Sequence, residues 1–389
     1  MTNHSSVRAF PHRILTLLAL LAASCLILLG VAACGDSTDD SADGGGDGGD
    51  TITISHALGE AEITGTPERV IALGQGSAET AIALGVTPVG TERYDWGADE
   101  TGHLPWIREA VEESGDELPE LIAGGEKVSA EEIAALDPDL VLAPWSGLTQ
   151  DQYDQISEIA PTIAYPEAAW TIEWEDQVNT IAEALRQEER GPELIEEIED
   201  QFATVRDEHP EFADHDFAFI YNQGPGENMG VFMPDEQRAA VVRAMGFPVA
   251  PVVEELREFE VAGTDSAQIS LEEATRFNDV DLIFTFYSDD SNREEMHAHP
   301  VYGSISAIER GAEVAPTDQS LVTGSSMINP LTVPWLLEHY LALIEDALEN
   351  TGGAGDATDT ADTAVKHQGN TLTPAPSSSE GVKTTRERE

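Results

Sequence analysis

His297 and His299, separated by one residue, form the closest imidazole pair in a chain with 10 histidines. A zinc or manganese site needs several imidazoles and carboxylates converging on one ion. On a strand the two rings would share a face. The run Asn292 to Met296 before them and Pro300 after them point instead to a helix end or a loop, and no second cluster accompanies them. No metal site is therefore expected. Nucleophilic catalysis fares no better: Gly74-Gln75-Gly76-Ser77-Ala78 and Gly324-Ser325-Ser326-Met327 lack the spacing of a G-x-S-x-G elbow. There is no H-E-x-x-H and no Walker loop. With 74 Asp+Glu, paired carboxylates occur everywhere and single out no acid–base couple. The expectation is a binding protein rather than an enzyme. A lipid-anchored hydrolase and an adhesive surface protein are the alternatives from other classes.

Binding chemistry is better represented. Gln75, Tyr94, Trp96, Trp145, Tyr221, Phe286 and Tyr287 follow predicted strands, where aromatic side chains stack on planar ligands or cover apolar ones. Core packing is the competing role for each one singly. Positive charge is scarce, with 19 Lys+Arg in all and Lys127, Lys366 and Lys383 as the sole lysines. Arg93, Arg238, Arg257 and Arg293 fall in predicted loops or helix starts, where a guanidinium fork can grip anionic oxygens. Charge balance against neighbouring carboxylates is their competing role. Arg69, just before a strand, reads as structural.

The elements that must position these residues repeat. Arg69 to Leu73 is a buried strand ending in Gly74-Gln75-Gly76; a helix from Ser77 stops at Gly85, before Val86-Thr87-Pro88-Val89. Phe217 to Tyr221 is a second such strand ending in Asn222-Gln223-Gly224, and a later helix stops at Gly246, before Phe247-Pro248-Val249. Ser129-Ala130-Glu131-Glu132 leads to Asp139-Leu140-Val141-Leu142, and Ser270-Leu271-Glu272-Glu273 leads to Asp281-Leu282-Ile283-Phe284. Each is a capping box in which Glu132 or Glu273 reaches back, leaving Glu131 and Glu272 to project from the first turn. The pattern predicts two α/β lobes. Between them Leu194, Ile195, Ile198, Phe202 and Val205 share one stripe of a helix long enough to bridge lobes.

A formal charge of −55 excludes a nucleic-acid binder, and two cysteines exclude a disulfide framework. Arg8 and Arg13, the apolar run Ile14–Val31 and Val31-Ala32-Ala33-Cys34 resemble a bacterial lipobox, which implies lipidation of Cys34. An uncleaved anchor helix is the alternative. The expected organisation is a signal peptide at 1–33, a flexible tether at 34–50, lobes at 51–187 and 213–350 joined by a helix at 188–212, and a disordered tail at 351–389.

The stretches Pro67 to Ile71, Glu79 to Gly90 and Ile133 to Trp145 resemble the helix-hinged substrate-binding proteins of ABC importers. Leu104 to Ala110 and Tyr165 to Trp170 are similar to the iron–siderophore lipoproteins of actinobacteria. The resemblance implies an α/β fold of two Rossmann-like lobes joined by a long interdomain helix, the class III periplasmic binding protein fold. It implies a monomer on the outer face of the cell membrane that holds a ferric siderophore, without a cofactor, in the cleft. Haem, cobalamin or a bare Zn or Mn ion are alternative cargoes. The partner it implies is an ABC permease dimer, docked by the residues at the family's docking positions, Glu131 and Glu272.

An acidic chain with so few cations repels itself, and salt screens that repulsion. Stability is expected to rise from low to molar NaCl, as checked by thermal melts across the series; a flat or falling Tm would refute a salt-adapted surface.

Overall fold

The computed structural model describes residues 50–224 and 228–351. The signal peptide, Cys34, the tether up to residue 49 and the tail from 352 lie outside the described residues.

A hairpin of β1 (Thr51–His56) and β2 (Gly59–Thr64) precedes the first lobe. That lobe is built on β3 (Val70–Ala72), β4 (Gly90–Glu92), β5 (Glu120–Ile122), β6 (Leu140–Leu142) and β7 (Thr162–Ile163). All five are parallel, in the order β5-β4-β3-β6-β7. β3 and β6, reading Val-Ile-Ala and Leu-Val-Leu, are buried throughout, as central strands of a parallel sheet with helices on both faces must be.

The second lobe contains β8 (Phe217–Asn222), β9 (Asn228–Phe232), β10 (Glu260–Val261), β11 (Ser266–Ser270), β12 (Leu282–Phe284) and β13 (Glu313–Val314), in the order β10-β11-β9-β8-β12-β13. β8, β12 and β13 are parallel, but β9, β11 and β10 join antiparallel. The second half thus departs from the repeat: β9 pairs back on β8 before the helix Gln237–Ala244 begins. The two lobes share an architecture without sharing a strand plan.

The capping boxes also resolve differently. Ser129 accepts the Glu132 N–H at 3.4 Å, but the Glu132 carboxylate accepts from the Ala123 N–H at 3.0 Å instead of reaching back. Ser270 accepts from the Glu272 N–H at 3.3 Å, Glu273 pairs with Arg276 at 2.9 Å, and Leu271–Phe277 winds as a 3-10 helix. Glu131 and Glu272 are nevertheless exposed in the first turn of their helices.

The helix Arg190–Glu208 spans about 28 Å at 1.5 Å per residue. Leu194 and Ile195 pack in the core of the first lobe, while Ile198, Phe202 and Val205 pack in that of the second. Trp174 touches both cores. The chain crosses back near its last described helix, Thr332–Leu348. There Met327, Leu331 and Trp335 pack with Leu104, Trp106 and Ile107 of the first lobe, and Leu336, Tyr340 and Ile344 return to the second. A third link is polar: Ser320 Oγ donates to the Gly97 carbonyl at 2.8 Å. Gly97 has φ +79°, and a Cβ there would sit 2.4 Å from Thr323 Oγ1, so no larger residue fits that contact. Among the described residues no helix is long and apolar enough to cross a membrane.

Ile198 is fully buried where the hinge helix enters the second core. Ile198→Ala removes that packing and leaves a void, with an expected cost of about 2–5 kcal/mol in urea denaturation; a loss near zero would show that the helix is not anchored there.

Candidate functional site

In the first sheet the chain runs outward from β3 through β4 to β5, then returns to the other side of β3 for β6 and β7. The loops leaving β3 and β6 therefore diverge, opening a crevice beyond the strands' carboxyl ends. Gly74 (φ +74°) lets the two loops touch: a Cβ there would lie 1.9 Å from the Trp145 carbonyl oxygen. Two side chains hold the β3 loop. Glu92 accepts the Gly74 N–H at 2.8 Å, and burial pushes its carboxyl above the ordinary range. Gln177 donates to the Gln75 carbonyl at 2.6 Å.

Trp145 stands edge-on to Trp170, with ring centroids 4.6 Å apart. Trp170 has φ +65° and remains 47% exposed. Across the crevice, Arg238 lies in the first turn of the helix Gln237–Ala244, and Glu236 accepts its N–H at 2.8 Å while pairing with its guanidinium. That guanidinium lies 4.7 Å from the Phe232 ring centroid and 5.9 Å from that of Phe286. Its Nε is buried without a partner among the described residues.

These groups enclose two cavities. One, of about 260 Å³, has Gln75, Trp145 and Trp170 on one side and Asp235, Gln237 and Arg238 on the other. The second, of about 460 Å³, sets Trp96, 61% exposed, against Asn222, Phe286, Tyr287, Asn292 and Gln319. Arg238 lines the first and Phe286 the second, so their contact marks the boundary between them.

Behind Tyr287 is a buried polar network. Its hydroxyl donates to Glu313 Oε1 at 2.6 Å and accepts from Tyr302 at 3.0 Å. The other Glu313 oxygen faces His297 Nε2 at 2.9 Å and Arg293 at 3.5 Å, and the carboxylate is only 2% exposed. Burial, with Tyr302 and Glu313 beside it, raises the Tyr287 hydroxyl far above its ordinary range, so it stays protonated and donating.

Of the residues singled out from sequence, Gln75, Trp96, Trp145, Arg238, Phe286 and Tyr287 line these cavities. Four lie elsewhere. Tyr94 packs beside Trp106, its hydroxyl pushed up by burial and by Glu79 and Glu92. Tyr221 stacks on Phe232 and bonds Ser266 at 3.1 Å. Arg93 is exposed and reaches the Leu121 carbonyl at 3.4 Å. Arg257 closes its fork on Glu254 at 2.7 and 2.9 Å. His299 accepts N–H groups of Val301 and Tyr302, and no group of three potential metal-binding side chains occurs among the described residues. Sequence reasoning missed Trp170, Asn222, Gln237, Asn292 and Gln319. Asn222 was within reach as the residue after Tyr221, whereas the left-handed backbone that turns Trp170 into the crevice leaves no signal in its type.

Residues 70–314 match the family model described as periplasmic binding protein. The Fe(3+)-citrate-binding protein YfmC of Bacillus subtilis is 24% identical over 309 residues, covering 78% of this chain and 90% of that protein. The probable siderophore-binding lipoprotein YfiY of the same organism is 26% identical over 197 residues, covering 49% of this chain and 55% of that protein. The crystal structure of PiaA from Streptococcus pneumoniae in complex with ferrichrome superposes with a TM-score of 0.68 at 30% identity, covering 77% of this chain and 99% of that one.

Glu313 sets the position of a cavity wall through Tyr287. Glu313→Ala and Tyr287→Phe are each expected to weaken ligand binding about tenfold, with the double variant little worse than either. Calorimetric titration checks this, with Tyr340→Phe as control for loss of a buried hydroxyl; full additivity would show that the two residues act separately.

Proposed function

The chain belongs to the periplasmic binding protein family, and on that premise we propose that it is a lipid-anchored receptor that captures a ferric siderophore and hands it to an ABC permease. It makes and breaks no bonds. The observation that carries this reading is a crevice walled by tryptophans and tyrosine, with one half-buried guanidinium whose Nε lacks a partner. A siderophore already fills the coordination sphere of iron, so its receptor needs surfaces for the organic shell rather than metal ligands. Trp96, Trp145 and Trp170 suit apolar or ring-bearing arms, and Arg238 suits an anionic oxygen. The names of two relatives agree with both halves of that chemistry: ferrichrome for PiaA and Fe(3+)-citrate for YfmC.

Delivery rests on Glu131 and Glu272. Both project from first turns of helices on different lobes, and neither accepts a side-chain hydrogen bond among the described residues. Two carboxylates on two rigid lobes report lobe spacing to basic pockets on a permease dimer. Anchoring rests on the apolar run before Cys34 and on the lipoprotein named among the relatives. We assign the receptor as a monomer on the outer face of the membrane.

Three of the six tryptophans line the crevice, so tryptophan fluorescence reads occupancy. The full chain in detergent is titrated in high salt with ferrichrome, ferric citrate, a ferric catecholate, haem, cobalamin, Zn²⁺ and Mn²⁺. Saturable sub-micromolar quenching by one ferric chelate is expected, and Arg238→Ala should weaken an anionic chelate by about tenfold or more. A response to a bare ion alone, or silence across the series, would overturn the assignment. Glu131→Arg and Glu272→Arg should each leave chelate affinity unchanged and abolish cellular uptake; lost affinity would refute docking.

A further inference from the structure

A third cavity, of about 560 Å³, lies behind the first. Three chain segments contribute to both. Ile172 and Glu173 face the crevice while Trp174 and Glu175 face the rear cavity. Gln237 and Arg238 face the crevice, while Ala240 and Ala244, one turn apart on the same helix, face the rear. Ser326 lines the front and Ile328 the rear, and Gln237 Oε1 ties the two sides by accepting the Ile328 N–H at 3.1 Å. The partition between the cavities is thus built from residues that touch the contents of each.

The rear cavity is dipolar. The hinge helix presents Glu199, Phe202 and Arg206 to it, spaced i, i+3 and i+7, which puts the backbone positions of the acidic and the basic residue about 10 Å apart along the axis. Glu175 joins the acidic end: burial holds its carboxyl above the ordinary range, and the charge of Glu199 adds to that. Neither carboxylate has an ion-pair partner among the described residues, and the Trp174 indole lies beside them. At the other end Arg206 donates to the Ala244 carbonyl, and Arg243 bonds the Pro234 carbonyl and Asp235 at 2.8 and 3.0 Å. Phe247 and Val249 supply an apolar floor between.

We propose that this cavity is a second binding site, for a short linear zwitterion with the chemistry of a free tripeptide, and that its occupancy is coupled to that of the crevice. The ammonium end lies at Glu175, Glu199 and Trp174, the apolar body over Phe202 and Phe247, and the carboxylate end at Arg206. Three extended residues span about 10 Å, comparable to the rise along the helix from Glu199 to Arg206. A simple cation would leave the guanidinium end unused, and a simple anion would meet two carboxylates. Coupling follows because a guest behind the partition favours one placement of Arg238 and Gln237 over another, and such linkage is reciprocal. The coupling rests on the proposed ferric-chelate function; the site itself does not.

The probe is the tripeptide Ala-Leu-Ala, titrated by calorimetry into the full chain in detergent. Saturable binding with one site is expected, weakened about tenfold or more by N-acetylation or C-amidation. Glu199→Gln should cost the free peptide a similar factor and abolish sensitivity to N-acetylation; Arg206→Gln should do the same for C-amidation. Both variants should keep the chelate affinity measured without peptide, which verifies their folding. No saturable heat up to about 10 mM, or equal binding of the capped peptides, overturns the site. Loss of peptide binding in Trp145→Ala, a residue that lines the crevice and not the partition, places the peptide in the crevice and also overturns it. An unchanged chelate affinity at saturating peptide overturns the coupling, while a chelate that fails to bind in either condition counts against the proposed function alone.

Discussion

One helix belongs to two hydrophobic cores. Because Leu194 and Ile195 are sealed into the first lobe and Ile198, Phe202 and Val205 into the second, neither end of Arg190–Glu208 can leave its lobe without exposing apolar surface. The joint therefore bends but does not swing freely. Trp335 against Trp106, ring centroids 5.1 Å apart, and Ser320 against Gly97 add two further ties. A receptor so constrained presents a largely formed crevice to its cargo, and little conformational entropy is lost on capture. Under the proposed delivery to a permease, such a joint limits the signal to a modest change in lobe placement, which suits docking through two widely separated points.

The charge of the chain works against any anionic cargo at long range. A body this acidic repels an anionic chelate well beyond contact, and only salt shortens that repulsion to a Debye length of about 8–10 Å. On the proposed function, affinity for such a chelate arises inside the crevice, where Arg238 is half-buried beside Phe232. A hydrated carboxylate exterior is compatible with anion capture only if the recognising cation is withdrawn from it.

Much of this could be read from residue order because it depends on local pattern. The buried strands β3 and β6, the hinge stripe and the exposed first-turn glutamates each follow from spacing within a dozen residues. What escaped was set by distant pairing. No local signal says that β9 turns back on β8, because its Gly230 serves a neighbour: a Cβ there would collide with the Tyr221 ring at 1.9 Å. That same packing takes Tyr221 out of the crevice. Tyr94 was drawn inward by Leu104 and Trp106, which arrive from a later helix. The capping serines were legible, but their glutamates found partners elsewhere: Ala123 for Glu132, Arg276 for Glu273.

Scarce cations show their use by where they are bound. Arg69 grips the Leu136 and Asp137 carbonyls, Arg310 those of Val280 and Asp281, and Arg186 that of Asp50. Each replaces water at main-chain oxygens where segments meet, a structural role that a guanidinium fork fills well. Arg108, Arg190 and Arg257 instead pair with nearby carboxylates at the surface, where such pairs contribute little. Arg238 follows neither pattern. Its guanidinium donates to no described main-chain oxygen, leans on Phe232 and is held by one carboxylate from its own turn while facing a cavity. A guanidinium kept in that position suits the role proposed for it, meeting an anionic oxygen of the cargo.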